Sequence, residues 1–258
     1  MSTSKPMTIV FIDLTTDVTP AAMRPGPFLP ALVQAVNEQI QGPYAAEYGQ
    51  QLVTFAIGDL ASRQPADTAA FFRDTIPVDG ALAYHTVVNG VPDIELGVDL
   101  FASLGDEGDS LSAGAGHEIL ELLGDPGANL WEDMGNGIMR PREECDTVQN
   151  TGYKASNGLW MTNFLLRSAW IPGAAGPWDY LGVMKSQDDY SNGYEIQAAT
   201  PSTTTQVGGL AAPGAASRLG ESIGHVLGRV YAVGALSSMQ LARKRGHLSR
   251  TYRRGVRL

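Results

Sequence analysis

The segment HEILE, residues 117–121, carries three side chains whose types and spacing suit a metal ion. In an α-helix, residues four positions apart project from one face, about 6 Å apart. The imidazole of His117 and the carboxylate of Glu121 can therefore reach one ion together. Glu118 follows His117 directly, where its carboxylate can take a proton from a metal-activated water. This spacing predicts His117 and Glu121 as metal ligands and Glu118 as a general base.

The same pattern is similar to the HExxH motif of zinc hydrolases, with the second histidine replaced by glutamate. Because the chain has a single cysteine, Cys145, it can build neither an internal disulfide nor a cysteine-rich zinc cluster. We therefore expect Zn²⁺ to be held by histidines and carboxylates. The alternative is an ordinary amphipathic helix with solvated His and Glu side chains, packed through Ile119, Leu122 and Leu123.

The hydrophobic pattern predicts the elements that position this helix. Short apolar runs and alternating runs predict strands. These lie at residues 7–14, 51–58, 81–88, 94–100 (an edge strand), 160–166 and 193–198. Helical spacing of apolar residues predicts a helix over 28–40, and a hairpin is expected within 129–146. The HEILE helix is expected over 112–123, capped by Ser112 and ended by Gly124 in the left-handed conformation.

Several segments also follow blocks shared by one protein family. They are GHEILELLGDP (116–126), GALAYH (80–85), EECDTV (143–148), TNFLLRSAW (162–170) and GPWDYLG (176–182). Over roughly residues 30–198 the chain resembles an uncharacterised family of bacterial and phage proteins that looks zincin-like. Gly116 stands where serine is common in that family and Thr147 where proline is common, and neither change removes a potential ligand.

The resemblance implies a third metal ligand outside the helix, since a catalytic zinc needs three protein ligands and one open position. The candidates are Glu143, Asp146 and His85. We favour Glu143, which heads the EECD segment, over Asp146. His85 is expected to act as a ligand or to stabilise an oxyanion, unless it is simply hydrogen-bonded within the sheet. Cys145 is expected to face the core.

Composition bounds the class of protein. The chain has 258 residues, of which 43% are hydrophobic and 17% charged, which indicates a globular protein. No run of about 18 uncharged apolar residues occurs, so no membrane span is expected. The first residues lack a basic segment followed by an apolar run, so no secretory signal is expected. These features favour a cytoplasmic or virion location.

Charge divides the chain into two parts. Residues 1–200 hold 9 basic and 26 acidic residues, a net charge of −17, whereas residues 201–258 hold 9 basic residues and Glu221, a net charge of +8. We predict a domain over 1–199, a Pro/Ser/Thr/Gly-rich linker over 200–216, and a helix over 217–244 in a basic extension, 217–258. Glycines spaced four apart in that helix would let another helix approach closely.

The sequence therefore predicts an α+β, zincin-like domain with a C-terminal helical, basic extension. The first expected function is a zinc-dependent, peptidase-like hydrolase. The alternative is a structural protein of a phage particle that reuses the domain for assembly. The extension is expected to mediate homo-oligomer or larger protein contacts, and its arginines can also contact nucleic acid without sequence specificity.

Overall fold

The computed structural model describes residues 6–78, 81–106, 109–135, 138–190, 196–197 and 230–232. Within them the chain forms short strands and three α-helices. The strands are β1 (Met7–Asp13), β2 (Val53–Gly58), β3 (Thr68–Arg73), β4 (Ala81–Val88), β5 (Val91–Gly97), β6 (Trp131–Asp133), β7 (Ile138–Pro141), β8 (Gly152–Lys154), β9 (Trp160–Thr162), β10 (Ile196–Gln197) and β11 (Val230–Ala232). The helices are α1 (Leu29–Gln39), α2 (Ala45–Tyr48) and α3 (Leu111–Gly124), and a π-helical turn (Ile40–Tyr44) joins the first two.

A six-stranded mixed sheet lies at the centre, in the order β11-β4-β5-β3-β1-β2. β1, β2, β3 and β5 run parallel to one another, whereas β4 runs antiparallel to β5 and β11 antiparallel to β4. The combination of this sheet with separate helices confirms the predicted α+β class. The predicted strands at 7–14, 51–58 and 81–88, and the helix over 28–40, are confirmed.

The predicted position of the strand over 94–100, at an edge of the sheet, is wrong. β5 ends at Gly97 and lies inside the sheet, between β4 and β3. Its charged residue Asp93 is tolerated there because Arg63 contacts the carboxylate at 2.5 Å and the amide of Ala69 donates to it. β3 is not predicted by the sequence pattern, since it begins with Thr68 and two alanines, and alanine is depleted in strands.

Helices α1 and α3 cover one face of the sheet. Both contribute to the main core, together with alternate residues of the strands. The sheet members of this core include Ile9, Phe11, Phe72, Ile94 and Leu96. α3 packs directly against α1, β4, β5 and β9. The sheet therefore presents β4 to the helix that carries HEILE.

The remaining strands form small sheets beside this core. β6 and β7 make the antiparallel hairpin predicted within 129–146, and β10 pairs with β7. β8 and β9 form a second antiparallel pair. After β7 the EECD segment returns to α3, where the amide of Cys145 donates to Glu121, and a 3-10 helix (Asp146–Val148) follows.

Of residues 191–258, only β10 and β11 lie within the described residues. The linker over 200–216 lies outside them, as does the extension over 217–258 apart from β11. At Val230–Ala232 the predicted helix is replaced by a strand that pairs with β4. Valine and tyrosine favour extended backbone. The prediction of a helix gave more weight to the helical spacing of small residues. None of the described helices has the length and apolar character to cross a bilayer.

Candidate metal centre

The N-cap of helix α3 lies two residues before the predicted one. Ser110 is the N-cap residue, and its hydroxyl accepts the amide of Ala113 at 3.4 Å. The predicted cap, Ser112, is wrong: its hydroxyl donates to the carbonyl of Trp160 at 2.7 Å. The predicted left-handed conformation of Gly124 is also wrong, because Gly124 is the last residue of the helix and does not have a positive φ.

The polar face of α3 is buried. His117 and Glu118 are 0% exposed and Glu121 is 1% exposed, so an amphipathic helix with a solvated polar face is excluded. Close packing explains this burial, because a methyl group at Gly114 would lie 2.5 Å from the ring of Phe101. Glycines on α3 thus let neighbouring elements approach the helix, and its polar side chains are covered by protein.

The first group of ligand atoms joins α3 to the turn that follows β7. Nε2 of His117 lies 3.1 Å from Oε1 of Glu121. With Sγ of Cys145 these atoms form a set in which every pair lies within 4.8 Å. The backbone amide of Cys145 also donates to Oε1 of Glu121 at 3.2 Å, which holds the turn against the helix. Cys145 belongs to the main core, as predicted, but sequence reasoning did not assign it to the metal centre.

The second group joins α3 to β4. Nδ1 of His85 lies 3.2 Å from Oε2 of Glu118 and 3.8 Å from Oε2 of Glu121. The ligand atoms of these three residues also lie within 4.8 Å of one another. His85 pairs with Ile94 in the β4–β5 ladder, so its imidazole is held by a strand in the middle of the sheet. The structure thus brings His85 into contact with the predicted base.

Asp146, Glu143 and Glu144 surround these groups. Oδ1 of Asp146 lies 3.3 Å from Nε2 of His117. Glu143 is fully buried and lies within hydrogen-bonding reach of the Glu121 carboxyl, but it belongs to neither ligand group. Glu144 is held by the guanidinium of Arg142 at 3.2 Å. Among the predicted third ligands, Asp146 thus contacts the His117 imidazole, and Glu143 faces the carboxyl of Glu121.

Burial dominates the electrostatics of the site. It raises the pKa of Glu118 well above its usual range, against the opposing effect of His117, and it raises the pKa of Glu121, to which Asp146 adds. Burial, followed by the carboxylate of Glu121, also raises the pKa of the Cys145 thiol. Within the described residues no Lys or Arg side chain pairs with Glu118 or Glu121. Carboxylates buried this way need either protons or a cation.

The chain matched no family model, no curated protein and no solved structure in the comparisons made with each. The function must therefore be argued from this geometry.

The donor set fits a transition-metal ion. Imidazole, carboxylate and thiolate groups are the ligands that zinc takes in proteins. Zinc bonds of about 2.0–2.2 Å place tetrahedral ligand atoms about 3.3–3.6 Å apart, whereas charge-assisted N···O hydrogen bonds are about 2.7–2.9 Å. The 3.3 Å separation between Nε2 of His117 and Asp146 lies in the first range, and the 3.1 Å separation between Nε2 and Glu121 lies midway between the two ranges. The buried His, Glu and Cys groups can thus hold a metal ion.

Proposed function

We propose that the protein is a zinc-dependent hydrolase of the peptidase-like kind, with the metal held by His117, Glu121 and Cys145. The observation that carries this proposal is the convergence of these three ligand atoms within 4.8 Å, on the helix that also bears Glu118. A thiolate and an imidazole favour zinc over magnesium or calcium, which prefer oxygen ligands. The likeness of HEILE to the HExxH motif supports hydrolysis as the reaction.

The chain's own residues supply the acid–base chemistry. When bound, zinc acts as a Lewis acid that lowers the pKa of a water ligand and polarises a carbonyl group. Glu118 takes the proton of the attacking water, and its raised pKa suits it to hold that proton and pass it to the leaving group. His85, 3.2 Å from Oε2 of Glu118, holds this carboxyl in place.

Access to the centre requires movement. His117, Glu121, Cys145 and Asp146 are at most 4% exposed, so a substrate cannot reach the metal in this conformation. The covering elements are β4 and the turn after β7, which contact α3 from different directions. We infer that one of them moves away from α3 during turnover.

The Glu118→Gln variant tests the proposal. Loaded with one equivalent of zinc, it should keep its metal and fold, while hydrolysis of a peptide library falls by roughly 10²–10⁴-fold because the base is lost. Glu47→Gln is the matched control, since Glu47 lies outside the centre and its contact, the amide of Arg167, can still be accepted by glutamine. Loss of zinc in the Glu118 variant would make Glu118 a ligand. Failure of the wild-type protein to cleave any member of the library would refute the hydrolase.

A second candidate function is a structural protein of a phage particle or another assembly. The complete burial of the centre favours it, because structural zinc sites are closed whereas catalytic ones keep an open position. The opposite charges of residues 1–200 and 201–258, −17 and +8, also favour association of identical subunits. In this case the metal would stabilise the fold without taking part in a reaction.

Native mass distinguishes this candidate from an isolated enzyme. Light scattering of the full chain should show self-association at low salt that weakens at high salt. A variant with the arginines of residues 243–257 changed to glutamine should lose the salt-sensitive part. This variant leaves the pairing of β11 with β4 intact, which a truncation would remove. A monomer at every salt concentration would contradict assembly through the extension.

A further inference from the structure

Glu121 belongs to both ligand groups. Its Oε1 faces Nε2 of His117 at 3.1 Å, and its Oε2 faces Nδ1 of His85 at 3.8 Å. A carboxylate whose two oxygens point at two different imidazoles can bridge two cations. One ion would lie towards the turn after β7 and the other towards β4.

The second group, His85, Glu118 and Glu121, provides three possible metal ligands. His85 and Glu118 are 0% exposed and Glu121 is 1% exposed, and their ligand atoms lie within 4.8 Å of one another. Oε1 of Glu118 is buried and makes no hydrogen bond among the described residues. A buried carboxylate oxygen of this kind is costly unless a cation or a proton satisfies it.

We propose that a second divalent cation binds between β4 and α3, held by His85, Glu118 and Glu121, and that it inhibits hydrolysis by occupying the general base. The site itself stands on the geometry of these three residues. Its inhibitory role rests on the proposed hydrolase function. Excess zinc would then act as a negative regulator of the same centre that one equivalent of zinc activates.

Charge and ligand type set the order of binding. The anionic groups Glu118, Glu121, Asp146 and the thiolate of Cys145 balance the charge of two divalent cations, and no Lys or Arg competes with these ions for Glu118 or Glu121 among the described residues. The first group includes a thiolate, which binds zinc more strongly than a carboxylate does. The second ion is also repelled by the first across Glu121. The site with Cys145 therefore fills first and the site with His85 second.

Titration of the metal-free full chain with Co²⁺ tests the second site. The first equivalent should produce a thiolate-to-metal charge-transfer band, because Cys145 is a ligand, and the second equivalent should add only ligand-field bands. His85→Gln should keep the first equivalent with its thiolate band and lose the second. His117→Gln should lose the thiolate band. His247→Gln, with its histidine outside the described residues, is the matched control and should bind two equivalents.

The same titration with Zn²⁺ tests the inhibition. In the wild-type protein, hydrolysis should rise to one equivalent and then fall at least tenfold as the second site fills. In His85→Gln, which also loses the contact that holds Glu118, activity at one equivalent should be lower, and a second equivalent should not lower it further. A single equivalent of metal in the wild-type protein overturns the second site, whether or not the variants fold. Two equivalents in His85→Gln also overturn it. Two equivalents with no cleavage uphold the site and refute both the hydrolase and the inhibitory role.

Discussion

Cys145 and Asp146 are neighbours in the chain but meet His117 in different ways. Sγ of Cys145 lies within 4.8 Å of the ligand atoms of both His117 and Glu121, whereas Asp146 contacts the imidazole of His117. This difference favours Cys145 over Asp146 as the third ligand of the proposed zinc ion. Both residues are buried at the same turn, so their substitution offers a matched comparison.

We predict that Cys145→Ser lowers zinc affinity by more than about 100-fold. Asp146→Asn should lower it about 10-fold, the effect of losing a residue that hydrogen-bonds to a metal ligand. Competition with a zinc-binding dye measures both constants. Circular dichroism of each variant checks that the fold is kept. The reverse order of effects would make Asp146 the ligand and Cys145 a core residue.

The sequence predicts the residues of one helix better than those that other elements bring to it. His117 and Glu121 lie 3.1 Å apart because helical geometry alone fixes a spacing of four residues. The contact of His85 with Glu118 depends on how β4 packs against α3, which periodicity does not specify. The ECD run was a usable signal for Cys145, because this thiol lies between two carboxyl groups in the chain.

At the scale of elements, Gly124 allows the EECD segment to approach the end of α3. A methyl group at this position would overlap the buried carboxylate of Glu144, which Arg142 holds in place. Gly124→Ala should therefore destabilise the protein by about 1–3 kcal/mol, the usual cost of overpacking. Urea denaturation measures the change. Gly42→Ala is the control, because a methyl group there meets nothing within 4 Å, and it should not destabilise.

The loop after β1 is tied to the end of β3 by Asp74. The hydroxyl of Thr16, then that of Thr19, donates to this carboxylate and lowers its pKa from 3.8 to about 2. Since the folded-state pKa is depressed, the tie stabilises the protein above about pH 4 and is lost as the pH falls through about 2. An NMR titration of the Asp74 carboxyl should show this midpoint. Thr16→Val should raise it, and an unchanged midpoint would contradict the tie.

Some elements follow from local sequence patterns, whereas the position of others depends on packing. The strand β1 and the helix α1 follow from local periodicity, and both are correctly predicted. An edge strand was expected over 94–100 because polar and apolar residues alternate there. In the structure Arg63 pairs with Asp93 and Arg73 pairs with Glu95 inside the sheet, a long-range compensation that alternation alone does not reveal.

At the scale of the whole molecule, the centre is assembled from three segments distant in sequence. α3, β4 and the turn after β7 each contribute at least one of its residues, and each is also packed into the protein around it. Residues 1–200, which are acidic overall, thus keep several carboxyl groups away from water, and this burial raises the pKa of Glu118 and Glu121. Folding and metal binding are coupled in such an arrangement, because the unfolded chain has no preformed site.

The burial of the proposed ligands would also determine how a bound metal leaves. Since His117, Glu121 and Cys145 are at most 1% exposed, a chelator cannot touch the ion until the surrounding elements separate. Opening of this kind is a rare local unfolding event with a rate of its own. We therefore expect zinc release to EDTA to reach a plateau rate that no longer increases with EDTA concentration, and release followed with a zinc-sensitive dye measures it. A rate that stays proportional to EDTA would mean that solvent reaches the ion directly. Such a plateau would mean that the slow opening of the fold sets the rate at which a bound metal is lost.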